Sequence, residues 1–260
     1  MKAEVIADSI CTTRIATLEL TMPKWLVAQL NTHRCFSRNS ASSRAIPLKT
    51  LRAQVLENPY IPTEWPRNQK GMQGGEALDA SHAGASERAW RQALSDACKH
   101  HEWLEHLGVH KELANRLLEP FMWTKVVVTS TEWDNFFALR LPGAGAQHEM
   151  GKLALAMQQA IYSSQPKPCD PGEWHLPYAD EDAPDLRRIC QSVSRCARVS
   201  YLNHGKRSSW TQDWQLHNRL KDDGHWSPFE HQARALDYDV ANRNFFGWQQ
   251  YRDQIQENEK

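Results

Sequence analysis

Long apolar runs are missing from this chain. No stretch approaches the roughly 20 consecutive apolar residues that a helical bilayer span needs, so no membrane-spanning segment is expected. An excess of one charge is missing too: 31 basic residues stand against 31 acidic ones in 260 positions. General DNA-binding surfaces carry a clear basic excess, so broad nucleic-acid binding is not expected, although local basic clusters stay open. The six cysteines (Cys11, Cys35, Cys98, Cys169, Cys190, Cys196) show no paired Cys-x-x-Cys spacing. No metal site is expected, and in a cytosolic chain they would be reduced thiols. The first ten residues contain Glu4 and Asp8 and lack the apolar core of a signal peptide, so a cytoplasmic location is expected. Internal repeats and low-complexity runs are absent as well. Tryptophan, by contrast, is plentiful, with 11 residues. Most should serve core or interface packing, and some could stack on flat rings.

The length allows one large domain or two small ones and a substantial core. Thr17 to Met22 alternates polar and apolar residues and predicts a strand. Pro23 opens a short helix over Lys24 to Asn31. Ile46-Pro47 ends the segment that follows, and a helix is expected from Leu48 to Leu56. Residues 58–85, rich in Pro, Gly, Asn and Gln, predict a long loop. Ser86 is the expected N-cap of a helix reaching Leu107, with Trp90, Ala93, Leu94, Ala97, Leu104 and Leu107 as its apolar stripe. Further helices are expected over Lys111–Leu118, from Thr131, over Ala146–Ser163, over Asp185–Arg195 and over Thr211–Asp222. Val126 to Val128 predicts a short extended segment. Residues 165–185 hold five prolines and read as a connector.

The most specific segment is Thr32-His33-Arg34-Cys35-Phe36-Ser37-Arg38-Asn39-Ser40-Ala41-Ser42-Ser43-Arg44. It gathers three arginines, a histidine, an asparagine and several hydroxyls, with no acidic residue. Arginine forks bind phosphate bidentately, and small polar side chains let backbone N–H groups approach it. Such a segment suits a polyanion. By composition alone, a solvated basic loop is about equally compatible with it.

The order of residues goes further. The segment resembles the signature of flavin-dependent thymidylate synthases (ThyX), Arg-His-Arg-x-x-Ser-x-Asn-x-x-Ser-x-Arg. His33, Arg34, Ser37, Asn39, Ser42 and Arg44 fall in register, and Thr32 replaces the first arginine. A second block, Asn115-Arg116 followed by Asn135 and Arg140, is similar to the family's nucleotide-binding arginines. Read from the residues alone, Arg116 and Arg140 fit surface ion pairs with Glu119, Glu132 or Asp134. The family's histidine after the second arginine has no counterpart in Leu141 to Gln147. A third block, Ala197-Arg198-Val199-Ser200 and His225-Trp226-Ser227-Pro228-Phe229-Glu230-His231, resembles the family's FAD-binding elements. The six-residue spacing of its histidines is a poor helical metal pair. In the family the third block comes first. This chain therefore resembles a circular permutation of the pattern, of a kind familiar from bacteriophage genomes. Permutation is tolerated when termini lie close at the surface.

The resemblance implies an α+β fold with a central mixed or antiparallel sheet flanked by long helices. It implies a single domain over 1–260, with sections 1–57, 58–111, 112–164 and 165–260, and a homotetramer. It also implies methylation of dUMP with FAD, NADPH and 5,10-methylenetetrahydrofolate. Arg140 and Ser42 are the implied catalytic residues. Arg44, Arg116, Ser42, Ser40 and Arg140 are implied at the nucleotide. His33, Arg34, Asn39, Asn135, Ser200, His225, Ser227 and Glu230 are implied at the cofactor. Thr32 and the missing histidine leave open a hydroxymethylating variant acting on dUMP or dCMP. A nucleotide-binding protein without catalysis is a further alternative. The Gly172-to-Tyr178 motif and the aromatic tail from Asn244 lie outside the resemblance.

Overall fold

The computed structural model describes residues 1–202, 205 and 208–258. Along the chain come β1 (Lys2–Ile10), β2 (Arg14–Pro23), α1 (Val27–Leu30), β3 (Ser37–Ser40), α2 (Leu48–Glu57), α3 (Ala80–His106), α4 (Lys111–Ala114), β4 (Trp123–Ser130), α5 (Asp134–Arg140) and α6 (His148–Ser163). After them come β5 (Lys167–Pro168), β6 (Trp174–His175), α7 (Asp185–Arg198), α8 (Trp210–Asp222), β7 (Ala233–Ala235), β8 (Ala241–Asn242), β9 (Phe245–Phe246), β10 (Trp248–Gln250) and α9 (Tyr251–Asn258). The main sheet has the order β3-β4-β2-β1-β5. Its pairings are antiparallel except β1 with β5, which is parallel. The expected α+β fold with a central mixed sheet is therefore present. Among the described residues, no helix is long and apolar enough to cross a membrane.

The sheet's two faces differ in chemistry because side chains alternate along a strand. Ala16, Leu18, Leu20 and Met22 of β2 and Val126 and Val128 of β4 form one face. Met150, Leu153, Ala154, Met157 and Ile161 of α6, spaced as one helical stripe, pack onto it with Phe36, Trp133 and Phe136. Burying each of the Leu, Met, Val, Ile and Phe side chains among them contributes roughly 1.5–3 kcal/mol. The other face carries Thr17, Glu19, Ser37, Asn39 and Thr129, all buried under the C-terminal third of the chain. Hydrogen bonds hold it there. Ser9 Oγ meets His175 Nδ1 at 2.9 Å, and His175 Nε2 meets Thr17 Oγ1 at 2.8 Å. Thr17 meets Thr129 at 2.7 Å, and Thr129 meets His231 Nδ1 at 2.8 Å. Tyr178 Oη donates to Glu19, which also pairs with Lys125.

Several boundaries differ from the sequence reading. α3 begins at Ala80, because the Asp79 carboxylate accepts from the backbone N–H groups of Ser81 and His82. Ser86 lies inside that helix and donates back to the His82 carbonyl. Residues 65–78 are not structureless either. Arg67 N donates to Glu76 O and Leu78 N to Trp65 O, forming an irregular hairpin. The helix expected over Lys111–Leu118 shortens to α4 and continues as a 3-10 turn over Asn115–Phe121, where Pro120 removes a donor. α5 starts at Asp134 rather than Thr131. Asp79→Ala is expected to lower the melting temperature by a few degrees, with Ser86→Ala close to neutral. The reverse ranking would return the helix start to Ser86.

Candidate active site

β3 and the turn after it deliver much of the signature to one place. Asn39 is buried, and its side-chain amide donates to the Cys196 carbonyl at the end of α7. Ser42 N donates to the Ser200 carbonyl at 3.1 Å. These contacts join the signature to the Ala197-to-Ser200 block across more than 150 residues. A cleft of about 670 Å³ opens at this junction. Asn39, Ser42, Arg44, Ser200, His225 and Ser227 all line it. Lys111 and Arg219 add positive charge at its walls, and neither was expected as a site residue from the sequence. Their spacing from the motifs carries no signal that could have found them. Arg44 is exposed and makes no ion pair among the described residues. Arg198, at the same cleft, is committed to the wall itself: it donates to the buried Asp213 at 2.6 Å and to Ser208 at 3.0 Å.

A second constellation sits on the other side of β3. His33 is buried, with its ring edge-to-face on Phe136 at 4.9 Å. Its Nε2 accepts from Arg140 Nε at 3.0 Å. Arginine Nε always carries its proton, so the accepting Nε2 is bare and the imidazole is neutral, with its proton on Nδ1. Burial, and then the positive charges of Arg140 and Arg38, push the His33 pKa below its ordinary value. Thr32 Oγ1 donates to the Gln29 carbonyl at 2.8 Å and lies 3.4 Å from Arg140 Nη2. Two of the three guanidinium nitrogens of Arg140 thus point at the protein. Nη1 makes no hydrogen bond among the described residues. Asn135 is exposed on α5, five residues away, and Arg34 is exposed beside His33.

Arg116 stands apart from both groups. It lines a larger cleft of about 1090 Å³ together with Lys24, Trp25, Trp65 and Trp90. It donates to Glu119 at 2.7 Å, the i,i+3 pair that the residues alone favoured. Ser43 Oγ donates to the same carboxylate at 2.6 Å. Glu230 is also occupied: Arg252 of α9 donates to it while lying over the Trp226 ring at 5.9 Å. The aromatic tail, which the sequence reading could not place, therefore closes over one of the expected cofactor residues. Ser40 is half-buried at the end of β3.

The family model for thymidylate synthase complementing proteins matches residues 7–167, which runs from the end of β1 through α6 and includes the arginine signature. The chain belongs to that family. The match ends before the Ala197-to-Ser200 and His225-to-His231 blocks, which reach the family signature only in space. Among solved structures, the chain is similar to the UMP/dUMP methylase PolB of Streptomyces cacaoi bound with 5-Br dUMP. That match has 19% identity and a TM-score of 0.45, over 56% of this chain and 66% of that one. It is likewise similar to the same methylase bound with 5-Br UMP, with 19% identity and a TM-score of 0.48, over 56% and 67%. The chain thus spans about two thirds of the length of these structures. No curated protein matches it.

Proposed function

We propose that this family member transfers a one-carbon unit to C5 of a pyrimidine deoxynucleotide, with dUMP to dTMP as the reaction. The observation that carries the reading is the basic cleft where Asn39, Ser42 and Arg44 meet Ser200, His225 and Ser227. Its donor set fits FAD: Lys111 and Arg219 suit a pyrophosphate, and the hydroxyls of Ser200 and Ser227 and the Asn39 amide suit polar groups beside it. The chemistry supplied by bound FAD is hydride transfer, with NADPH as reductant and 5,10-methylenetetrahydrofolate as one-carbon donor.

The chain's own residues bind and orient. Arg44 and Arg116 hold the nucleotide phosphate, with Ser42 and Ser40 beside it. Arg116 must leave Glu119 to do so, and an exposed pair of this kind is worth only about 0–1 kcal/mol. C5 of uracil is a weak nucleophile, and the Arg140 guanidinium stabilises the electron-rich ring in the transition state. His33 and Arg34 lie against the flavin ring, and Asn39, Asn135, Ser200, His225, Ser227 and Glu230 contact the cofactor. Arg116 and Ser43, the residue before Arg44, share the Glu119 carboxylate, which brings both arginines near one phosphate position. The single-domain subunits are proposed to assemble as a homotetramer, as the resemblance implies.

One observation favours a second reading. Thr32 puts a hydroxyl beside Arg140 where the signature has a cation. If water rather than hydride completes the reaction, the product is a hydroxymethyl pyrimidine. The deciding experiment is mass analysis of the nucleotide after incubation with FAD, NADPH, methylenetetrahydrofolate and either dUMP or dCMP. A methyl product from dUMP supports the first reading. A hydroxymethyl product moves the assignment to base modification, and bound flavin with no product from either nucleotide would overturn both.

No cysteine nucleophile is required. All six thiols are free, and burial pushes Cys35, Cys98, Cys169, Cys190 and Cys196 above the ordinary thiol value, away from the reactive thiolate. Single Cys→Ser or Cys→Ala variants are expected to keep turnover within a few-fold. Complete dependence on one thiol, in a folded variant, would end the flavin-only mechanism.

A further inference from the structure

Arg38 occupies a position that the arginine signature leaves open. Its neighbours Ser37 and Asn39 face the covered polar side of the sheet, so alternation turns Arg38 to the side of His33 and α5. There its guanidinium runs back under the turn that follows α1. Arg38 Nη1 donates to the carbonyl of His33 at 2.7 Å, of Asn31 at 3.1 Å and of Leu30 at 3.4 Å. The His33 carbonyl also accepts from Phe36 N at 3.3 Å, and the Leu30 carbonyl from His33 N at 3.2 Å. A cation at the carbonyl end of a helix is favourable, and a guanidinium can serve several oxygens at once. The backbone that presents His33 is thus fixed at its oxygens, while Phe136 and Arg140 fix the ring.

Position 32 gives this arrangement its meaning. The signature has an arginine there, which would set a second guanidinium beside Arg140. Thr32 instead contributes a neutral oxygen that lets Arg140 settle on His33. The positive charge stands six residues later, at Arg38, and acts on the same turn. We propose that Arg38 is a positioning residue: it supplies from β3 the cation that the turn lacks at position 32, and holds His33 as the Nδ1–H tautomer facing Arg140. The consequence for turnover rests on the function proposed above; the tautomer does not.

The test separates the two. In ¹⁵N-labelled protein without nucleotide, the His33 ring, assigned by its loss in His33→Asn, should show a bare Nε2 and a protonated Nδ1. Arg38→Gln should move both nitrogens toward the averaged values of a freely exchanging imidazole. Arg38→Met serves the same purpose should the glutamine variant not fold. Turnover of dUMP should then drop roughly tenfold to a hundredfold in kcat, with the nucleotide KM within about threefold. Arg38→Lys should recover part of both signals, since one ammonium still reaches the turn. Ring nitrogens unchanged from the parent in a folded Arg38→Gln or Arg38→Met protein would overturn the proposal. Shifted ring nitrogens in a protein whose parent converts neither dUMP nor dCMP would keep the clamp and remove the function reading.

Discussion

Stability is expected to fall steeply as the pH drops from 6.5 toward 5. His175 and His231 are fully buried, and desolvation lowers both from 6.5 to about 3. The folded state therefore keeps them neutral, while the unfolded chain protonates them below its ordinary histidine value. Each contributes full stability above pH 6.5 and loses about 1.4 kcal/mol per pH unit down to about pH 3. Together they cost about 4 kcal/mol by pH 5, a large share of the 5–15 kcal/mol typical of a folded protein. His33 and His217 are shifted in the same direction and add to the slope. Carboxylates contribute mainly below this window, because their ordinary values lie near 4. Urea titrations at pH 7, 6 and 5 should show the midpoint falling with an unchanged slope. Replacing either histidine by glutamine should weaken the pH dependence, even where it lowers stability at pH 7. Equal midpoints at pH 7 and pH 5 would show that neither imidazole is held neutral.

Arg140→Ala is expected to reduce kcat/KM by at least about a hundredfold, the usual cost of losing a donor aimed at developing charge. Flavin absorbance of the purified protein should persist, because Arg140 is not among the residues lining the cleft of Asn39, Ser200, His225 and Ser227 that carries most of the proposed cofactor contacts. The geometry sharpens the expectation. Arg140 Nε and Nη2 are turned toward His33 and Thr32, so the guanidinium is oriented before any nucleotide arrives. Arg140→Lys keeps the charge but not the fork, and should recover only a small part of the rate. Single-turnover product formation measures the step directly. Wild-type rates in Arg140→Ala would remove Arg140 from the reaction and leave it a structural partner of His33.

The sequence made parts of this legible for specific reasons. β2 was readable from its alternating polar and apolar residues, the Val126–Val128 segment from its β-branched run, and α6 from the Gly/Pro break before it. Val126, Val128 and the apolar residues of β2 and α6 end up on one core. The signature was readable because its spacing is local: Asn39, Ser42 and Arg44 sit on a short strand and the turn after it, so order along the chain becomes order in space. β1 was not, since its outward-leaning, half-exposed pattern lacks clean alternation and a bulge shifts its register between Val5 and Ala7. The start of α3 was missed because two plausible caps, Asp79 and Ser86, lie seven residues apart, and only geometry chooses between them. Arg140 on His33 and Arg252 on Glu230 were invisible, because no local spacing encodes where separate elements meet. Arg116 with Glu119 was visible as a simple i,i+3 pair and is found as one.

The polar face of the sheet also sets a timetable for synthesis. Trp248 Nε1 donates to the Thr13 carbonyl across 235 residues, and Gln250 reaches Ser37 across 213. At about 5–20 residues per second, a ribosome takes roughly 10 to 50 seconds to make the chain between Thr13 and Trp248. Until residues 175–231 emerge, Thr17, Glu19, Asn39 and Thr129 lack their C-terminal partners and have only water and N-terminal neighbours such as the Thr17–Thr129 and Glu19–Lys125 pairs, while the apolar face can already close on α6. The nascent protein should thus assemble one side of its sheet well before the other. The candidate cleft, which needs both the signature and the last blocks, would be among the final features to form.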